Sequence, residues 1–464
     1  MRILLWHGYL LTGSGSNVYT ANIAREWRAA GHDVVVMCQE PRARDLPYVD
    51  ASGDFARDNR TIEPVPTGAA PARGRCTVLR PWIGSVLPVY VYDEYEGFTA
   101  KRFVDLTDAE LDDYTKRNVE ALVSAIQHHR PDAIVTGHEV MGPYIAREAC
   151  ARTGTTYVAK LHGSALEYAV KLQDRYREYA IAGLSAAAVV VGGSNYMVNE
   201  AASVTPGWLD HAAVVNPGCD VELFRPAERQ RPDVPLVGYV GKLIASKGVH
   251  HLLAALPLVA GELRAVIVGY GGFADGLRAL WSALHEGDAA RAKDVARTGE
   301  HGPLDGLVAF LDSPPEGYYE RAATIDVDFP GRLEHGPLSR ALPQFDVLAV
   351  PSVLAEAFGM VAAEAAACGV LPVVPGHSGI GEAGATIEER LGRPGFLTFD
   401  PRDPVRSCAR AIERVLDVDF DERVALGRRA CELAHERWAW TEVARRLLDL
   451  AGSGRADLGR NVEA

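Results

Sequence analysis

The stretch Val347-Leu-Ala-Val-Pro-Ser-Val-Leu-Ala-Glu356-Ala-Phe-Gly-Met-Val-Ala-Ala-Glu364-Ala-Ala-Ala-Cys-Gly369-Val-Leu-Pro-Val-Val374 reads as strand, turn, helix and strand. Val347–Val350 is a short buried strand and Leu371–Val374 is the next. Between them the helix runs through Ala362–Cys368, stops at Gly369 and has Pro372 beyond it. Gly359 allows close backbone approach where the helix begins. The turn leaves free amides at the positive end of the helix, with Glu356 before it and Glu364 in its early turns. Amides there suit an anion and the carboxylates suit sugar hydroxyls. The plainer alternative is two surface glutamates on an Ala-rich helix.

The same rhythm runs through the whole chain. Ile3–Trp6, Val34–Cys38, Ala133–Thr136, Tyr157–Leu161 and Ala188–Gly192 read as buried strands with helical stretches between several of them. It restarts after residue 230 with Val237–Val240, Ala265–Gly269, Leu307–Leu311, Val347–Val350 and Leu371–Val374. Apolar strands alternating with helices predict parallel sheets covered on both faces, here in two doubly wound α/β domains. A chain of 464 residues exceeds what one core usually holds. The Pro- and Arg-rich stretch Asn216–Asp233 reads as the seam. Residues 41–105 and 282–325 read as long irregular inserts, and the helix Trp440–Leu450 carries an apolar stripe that must dock.

Lys plus Arg number 48 against 61 Asp plus Glu, a net charge of −13, which argues against a non-specific nucleic-acid binder. Seven scattered cysteines, none in a CxxC spacing, read as reduced buried thiols in a cytoplasmic protein, with no disulfide framework and no zinc site. No signal peptide, membrane span or strongly basic amphipathic helix is expected, which speaks against membrane association.

Three further stretches sit where ligands of open α/β sheets bind, at the carboxyl ends of strands. Gly13-Ser14-Gly15 lies between the first strand and its helix, although it is neither GxGxxG nor a P-loop. His138-Glu139 and His162, in Lys160-Leu-His-Gly-Ser164, follow strands and can hydrogen-bond a sugar or phosphate, or be satisfied by backbone. Lys242 and Lys247, in Gly241-Lys-Leu-Ile-Ala-Ser-Lys-Gly248, are two cations on one Gly-framed loop that can neutralise a diphosphate. Two solvated lysines are the simpler reading.

GKLIASKG, then PS followed by EAFGMVAAEAAACG, then Gly379-Ile-Gly-Glu382, resembles the retaining nucleotide-sugar glycosyltransferases of family 4. The match is continuous over about 236–248 and 325–385 and looser at the GSGS loop, GHDVVV, KLHG and Asn216-Pro-Gly. The resemblance implies the GT-B fold, two Rossmann-like domains facing across a cleft. Residues 1–215 would form an acceptor-side domain, with a C-terminal helix from about 438–464 packed back on it, and 216–437 the donor domain. It assigns the donor diphosphate to Lys242 and Lys247, the ribose to Glu364, and the transferred sugar to Glu356 with backbone of Phe358, Gly359 and Met360, Val361 following. His162 would stand near the reaction centre, Gly13, Ser14 and Gly15 on the phosphate side, and Arg332 and Leu333 by the base. His138, Glu139, Tyr92 and Tyr95 are candidates for the acceptor. Family members usually have Arg where Lys242 stands and Gly-Gly where Gly379-Ile-Gly381 stands. Lysine supplies a point charge rather than a fork.

The expected activity is therefore retaining transfer of a sugar from a UDP- or GDP-linked donor to a small soluble acceptor, in a thiol, sugar-alcohol or antibiotic pathway. No essential metal and no further cofactor is expected. The rivals are a non-catalytic nucleotide-sugar binder, which would lose the carboxylate pair or the cations, and a nicotinamide-dependent dehydrogenase. The latter needs GxGxxG with an acidic residue ~20 positions on, and neither is present. Donor base, acceptor and oligomeric state stay open.

Overall fold

A computed structural model describes residues 1–60, 62–91, 95 and 97–453. The chain forms two compact units. One is Met1–Pro217 together with the C-terminal segment that begins at Trp440; the other is Gly218–Ala439.

In the first unit the strands are β1 (Arg2–Trp6), β2 (Asp33–Met37), β3 (Ala51–Asp54), β4 (Val65–Pro66) and β5 (Arg75–Arg80). There follow β6 (Val86–Val89), β7 (Thr99–Arg102), β8 (Ala133–Gly137), β9 (Val158–Lys160), β10 (Val189–Gly192) and β11 (Ala212–Val214). Among the described residues the main sheet runs β11-β10-β9-β8-β1-β2-β5-β3-β4, and β6 and β7 form a small sheet of their own. All pairs of the main sheet are parallel except β3–β4. Ile3–Trp6 and all of β8 are buried, as strands covered on both faces must be. The strand order turns round between β1 and β8, which opens a crevice at their carboxyl ends.

The helix Trp440–Ser453 belongs to this unit. Trp440, Val443, Ala444, Leu447 and Leu448 are buried in its core, and Trp27 Nε1 donates to Ala444 O at 2.9 Å. Each large apolar side chain buried there contributes roughly 1.5–3 kcal/mol. Residues 41–105, expected to be an irregular insert, instead supply β3, β4 and β5 to the sheet. Cys76, Val78 and Leu79 of β5 are buried, and Arg28 clamps the incoming turn through two 2.7 Å bonds to Asp50, whose Oδ2 also accepts from Cys76 N.

The second unit has β12 (Leu236–Lys242), β13 (Arg264–Tyr270), β14 (Asp326–Gly331), β15 (Val347–Ala349), β16 (Pro372–Pro375) and β17 (Thr398–Phe399). Their order is β14-β13-β12-β15-β16-β17, all parallel, and it turns round between β12 and β15. Leu307–Leu311, expected as a strand, lies in the helix Asp305–Asp312. Its buried residues Leu307, Phe310 and Leu311 are spaced i, i+3, i+4, the period of a helix face. The strand that takes the expected place is β14, an edge strand whose acidic residues Asp326 and Asp328 are exposed. Residues 282–325 are mostly helical rather than irregular, with Ala274–His285, Ala289–Thr298, Asp305–Asp312 and Tyr318–Ala322. The expected linker is also packed: Cys219 and Phe224 are in the core, and Arg229 reaches the buried Asp346 at 2.7 Å.

Candidate functional site

In the second unit the loop after β12 carries both lysines. Gly248 takes φ +70°, and a Cβ on it would lie 1.8 Å from Pro351 O, so backbone packs directly on backbone at the end of β15. Val353 N closes the contact on Ser246 O at 2.9 Å. This brings Lys247 Nζ to 2.9 Å from Glu356 Oε1. Both side chains are part-exposed, 33% and 18%. Lys242 is exposed and, among the described residues, in no ion pair.

Glu356 is braced from behind by Ser378 and His377, which the sequence did not single out, and by Gly379, which it did. The Glu356 amide donates to Ser378 Oγ at 3.0 Å, and Gly379 N donates to Glu356 O at 2.9 Å. His377 Nε2 lies 3.2 Å from Ser352 O, so that nitrogen is the donor; Nδ1 then accepts from the Ser378 hydroxyl at 3.1 Å. A Cβ on Gly379 would meet Ala357 O at 2.1 Å, which is why glycine stands there.

The helix begins one residue after Gly359, as Met360–Ala367. Phe358 is buried against Trp438, ring centroids 5.5 Å apart, so it offers a ligand backbone rather than its ring. Met360, Val361 and Leu333 are half-buried against the core. Arg332 is exposed, 5.0 Å over the Tyr270 ring and 3.1 Å from Glu334. Glu364 is half-buried on the helix, and burial pushes its carboxyl up to about 7. The folded state thus holds a proton that the unfolded chain releases above the ordinary carboxylate range, so this residue lowers stability as pH rises from about 4.5 to about 7. Glu364→Gln should melt with wild type at pH 4 and above it at pH 8, by on the order of 2 kcal/mol. Thermal melts at the two pH values check this; equal melting at both rejects it.

In the first unit, Gly13, Ser14 and Gly15 are exposed at the start of the helix Gly15–Ala29, with open space over both glycines. At the carboxyl ends of β1 and β8 stand His7 and His138, their rings stacked at 5.5 Å. His162 lies 4.9 Å from His138 and 5.3 Å from Tyr19. Glu139 is fully buried, and its Oε1 accepts from the amides of His162 and Gly163 at 3.0 and 2.7 Å, fixing the KLHG turn. Burial pushes His7 down to about 4, and His138 and His162 well below the usual histidine range. His7 bonds Asn17 Oδ1 at 2.9 Å. Tyr9 and Tyr90 flank His138, and the Tyr90 hydroxyl donates to Val140 O. Tyr95 is half-buried and its phenol acts on that of Tyr9; Tyr92 lies outside the described residues. His7 and Tyr9 were missed in the sequence, whereas Tyr90 opens the tyrosine- and acid-rich run Tyr90–Tyr95 that the sequence offers for an acceptor. His7 alone carried a signal, one residue past a strand end.

The sequence matches the family model described as "Glycosyl transferase 4-like domain" over residues 14–218 and that described as "Glycosyl transferases group 1" over 307–418. The chain belongs to the family 4 glycosyltransferases. Its fold is GT-B, and it is an enzyme of the glycosyltransferase class. A D-inositol 3-phosphate glycosyltransferase of Acidothermus cellulolyticus is 27% identical over 94% of this chain and 84% of its own length. One of Nocardioides sp. is 32% identical, but over 54% of this chain; the chain spans only half the length of that relative. A glycosyltransferase of Rickettsia africae superposes with a TM-score of 0.60 at 14% identity, covering 97% of both chains. Anabaena HepE, solved with UDP, superposes at 0.58 and 16%, covering 97% of this chain and 99% of its own. At such identities these structures share the family fold. Among the described residues no cluster of His, Cys, Asp or Glu has the makings of a metal site, and no helix is long and apolar enough to cross a membrane.

Proposed function

We propose that this family 4 enzyme is a retaining transferase that moves a sugar from a nucleotide-diphosphate donor to a small, hydroxyl-rich soluble acceptor. The observation that carries this reading is the Lys247–Glu356 pair, 2.9 Å apart beside the start of the helix Met360–Ala367. It sets a cation and a carboxylate side by side at the carboxyl ends of β12 and β15, where the strand order turns round, which supports a diphosphate held beside a sugar. Lys242, Lys247 and the helix-start amides stabilise the charge that grows on the departing diphosphate. Glu364, on the same helix, holds the ribose; Glu356 holds the transferred sugar as it gains positive charge. His138, Glu139 and His162 of the first unit are the candidates to meet the acceptor. UDP is the favoured nucleotide, because HepE was solved with UDP and a further neighbour, from E. coli, with UDP-2-fluoro glucose. The relatives are named for D-inositol 3-phosphate, which supports a cyclitol or sugar ring as acceptor.

The family resemblance implies same-face attack on an oxocarbenium-like sugar. The anomeric configuration of the donor should therefore survive in the product. A proton NMR coupling constant on the product of a UDP-sugar and myo-inositol checks it, and an inverted anomer rejects the retaining mechanism.

A further inference from the structure

The connection between β13 and β14 holds more than the crossover of a parallel sheet needs. One helix suffices to return the chain. Here there are four, and the turn Gly299-Glu-His-Gly302 joins the second, Ala289–Thr298, to the third, Asp305–Asp312. Gly299 takes φ +54°, and a Cβ on it would lie 1.9 Å from Gly302 O, so the turn folds tightly back on itself. Leu304 N closes it on Ala296 O at 2.8 Å. The two side chains of the turn differ in fate: His301 is 89% exposed and Glu300 only 12%.

Glu300 reaches the loop that carries the lysines. Its Oε2 accepts from the amide of Ala245 at 2.6 Å, short as charge-assisted bonds are. A Cβ on Gly272 would lie 3.0 Å from Glu300 Oε1, so glycine there leaves room for the carboxylate. Gly272 belongs to the loop after β13, which is itself zipped to the lysine loop: Leu243 N donates to Tyr270 O at 2.8 Å, and Phe273 N to Leu243 O at 3.0 Å. One carboxylate thus sits against both loops.

The two sides of this contact are not equally fixed. The helices flanking the turn bury Ala292, Ala296, Leu307, Phe310 and Leu311 in the core. The turn Ala245–Lys247 buries no residue, and Ala245 stands 55 positions from Glu300 in the chain. A segment without buried side chains depends on its hydrogen bonds to keep its shape. Ala245 O in turn accepts from Gly248 N at 3.0 Å, closing the turn that presents Lys247. The extra helices are therefore the anchor and the lysine loop is what they hold. Glu300 does so through backbone: among the described residues its ion pair is with His301 at 3.9 Å, whereas Lys247 pairs with Glu356.

We infer that Glu300 is a positioning residue for the donor: by fixing Ala245 it holds the turn from which Lys247 meets the diphosphate. The inference rests on the reading of Lys247 given above, and extends it by making the connection between β13 and β14 part of donor binding.

The test compares three variants of the full chain. Glu300→Ala removes the acceptor, Glu300→Asp keeps the charge but is one methylene short of Ala245, and Glu300→Gln keeps the reach and an acceptor oxygen without the charge. In the ligand-free enzyme, hydrogen exchange over residues 243–248 should speed up about ten-fold in the Ala and Asp variants and stay near wild type in the Gln variant. By calorimetry UDP should bind the Ala and Asp variants about ten-fold more weakly and the Gln variant within about three-fold of wild type. Added to Lys247→Ala, Glu300→Ala should cost little further UDP affinity, because both act through one contact. Unchanged exchange, unchanged UDP affinity in the Ala and Asp variants, a Gln variant as weak as the Ala variant, or fully additive losses overturn the inference. If Glu300→Ala fails to fold, Glu300→Asp carries the same measurements, the double variant included. If exchange rises as expected but Lys247→Ala itself leaves UDP binding unchanged, the fault lies in the reading of Lys247, and the inference falls with it.

Discussion

Lys247→Ala should weaken UDP binding by about 2–4 kcal/mol and lower kcat/KM by at least as much. Two effects add. The variant loses a charge-assisted contact to the diphosphate. It also leaves the Glu356 carboxylate, now 2.9 Å from the ammonium, without its counter-charge and facing the incoming anion. Because Lys247 is a third exposed, part of the effect should fade with added salt. Lys247→Arg keeps the charge and should recover much of the affinity. Calorimetry with UDP and steady-state rates at two salt concentrations decide the matter; unchanged affinity and rate would remove Lys247 from the site.

Glu356→Gln and Glu364→Ala should fail in opposite ways. Glu356 precedes the helix and is held by Ser378 and Gly379, aimed at the lysine loop. If it faces a sugar that gains positive charge in the transition state, Glu356→Gln removes that charge and little else. kcat should drop by roughly 10²–10³-fold, as for other preorganised electrostatic groups. UDP itself should bind this variant as well as wild type or better, since Lys247 is released from its ion pair. Glu364 sits within the helix, and a ribose contact changes little during reaction. Glu364→Ala should mainly raise the donor KM and weaken free UDP. If both variants lose UDP affinity equally, or neither loses any, the division of labour between the two carboxylates is wrong.

The lysine loop and the two glutamates of the second unit were legible because their residues are close in sequence. Lys242 to Lys247 and Glu356 to Glu364 each span one loop or one helix start, so spacing carries most of the geometry. The brace behind Glu356 was not legible: Ser378 and His377 come from the next turn, after β16, and nothing local marks them as partners of residue 356. In the first unit the candidates were legible only as separate strand ends. His138, Glu139 and His162 could be named, but not that Glu139 would hold the His162 turn, nor that His7, Tyr9 and Tyr90 would close around His138.

The fold divides along the same line. Apolar strand runs and helix stops determined two doubly wound units, since burial on both faces leaves a continuous β-branched signature. Where the signal is short, packing decided instead. Leu307–Leu311 is five residues, enough for a strand by composition, and becomes a helix because its buried face repeats every three to four residues against the core. Arg75–Arg80 lay hidden among prolines and glycines, yet β2 offered a free parallel edge and Asp50 a carboxylate to anchor it. Sequence alone thus fixes what each segment can bury and which charges travel together. Which strand ends become neighbours, and hence which polar groups are brought together, is settled only when the sheets assemble, because that depends on pairings between residues far apart in the chain.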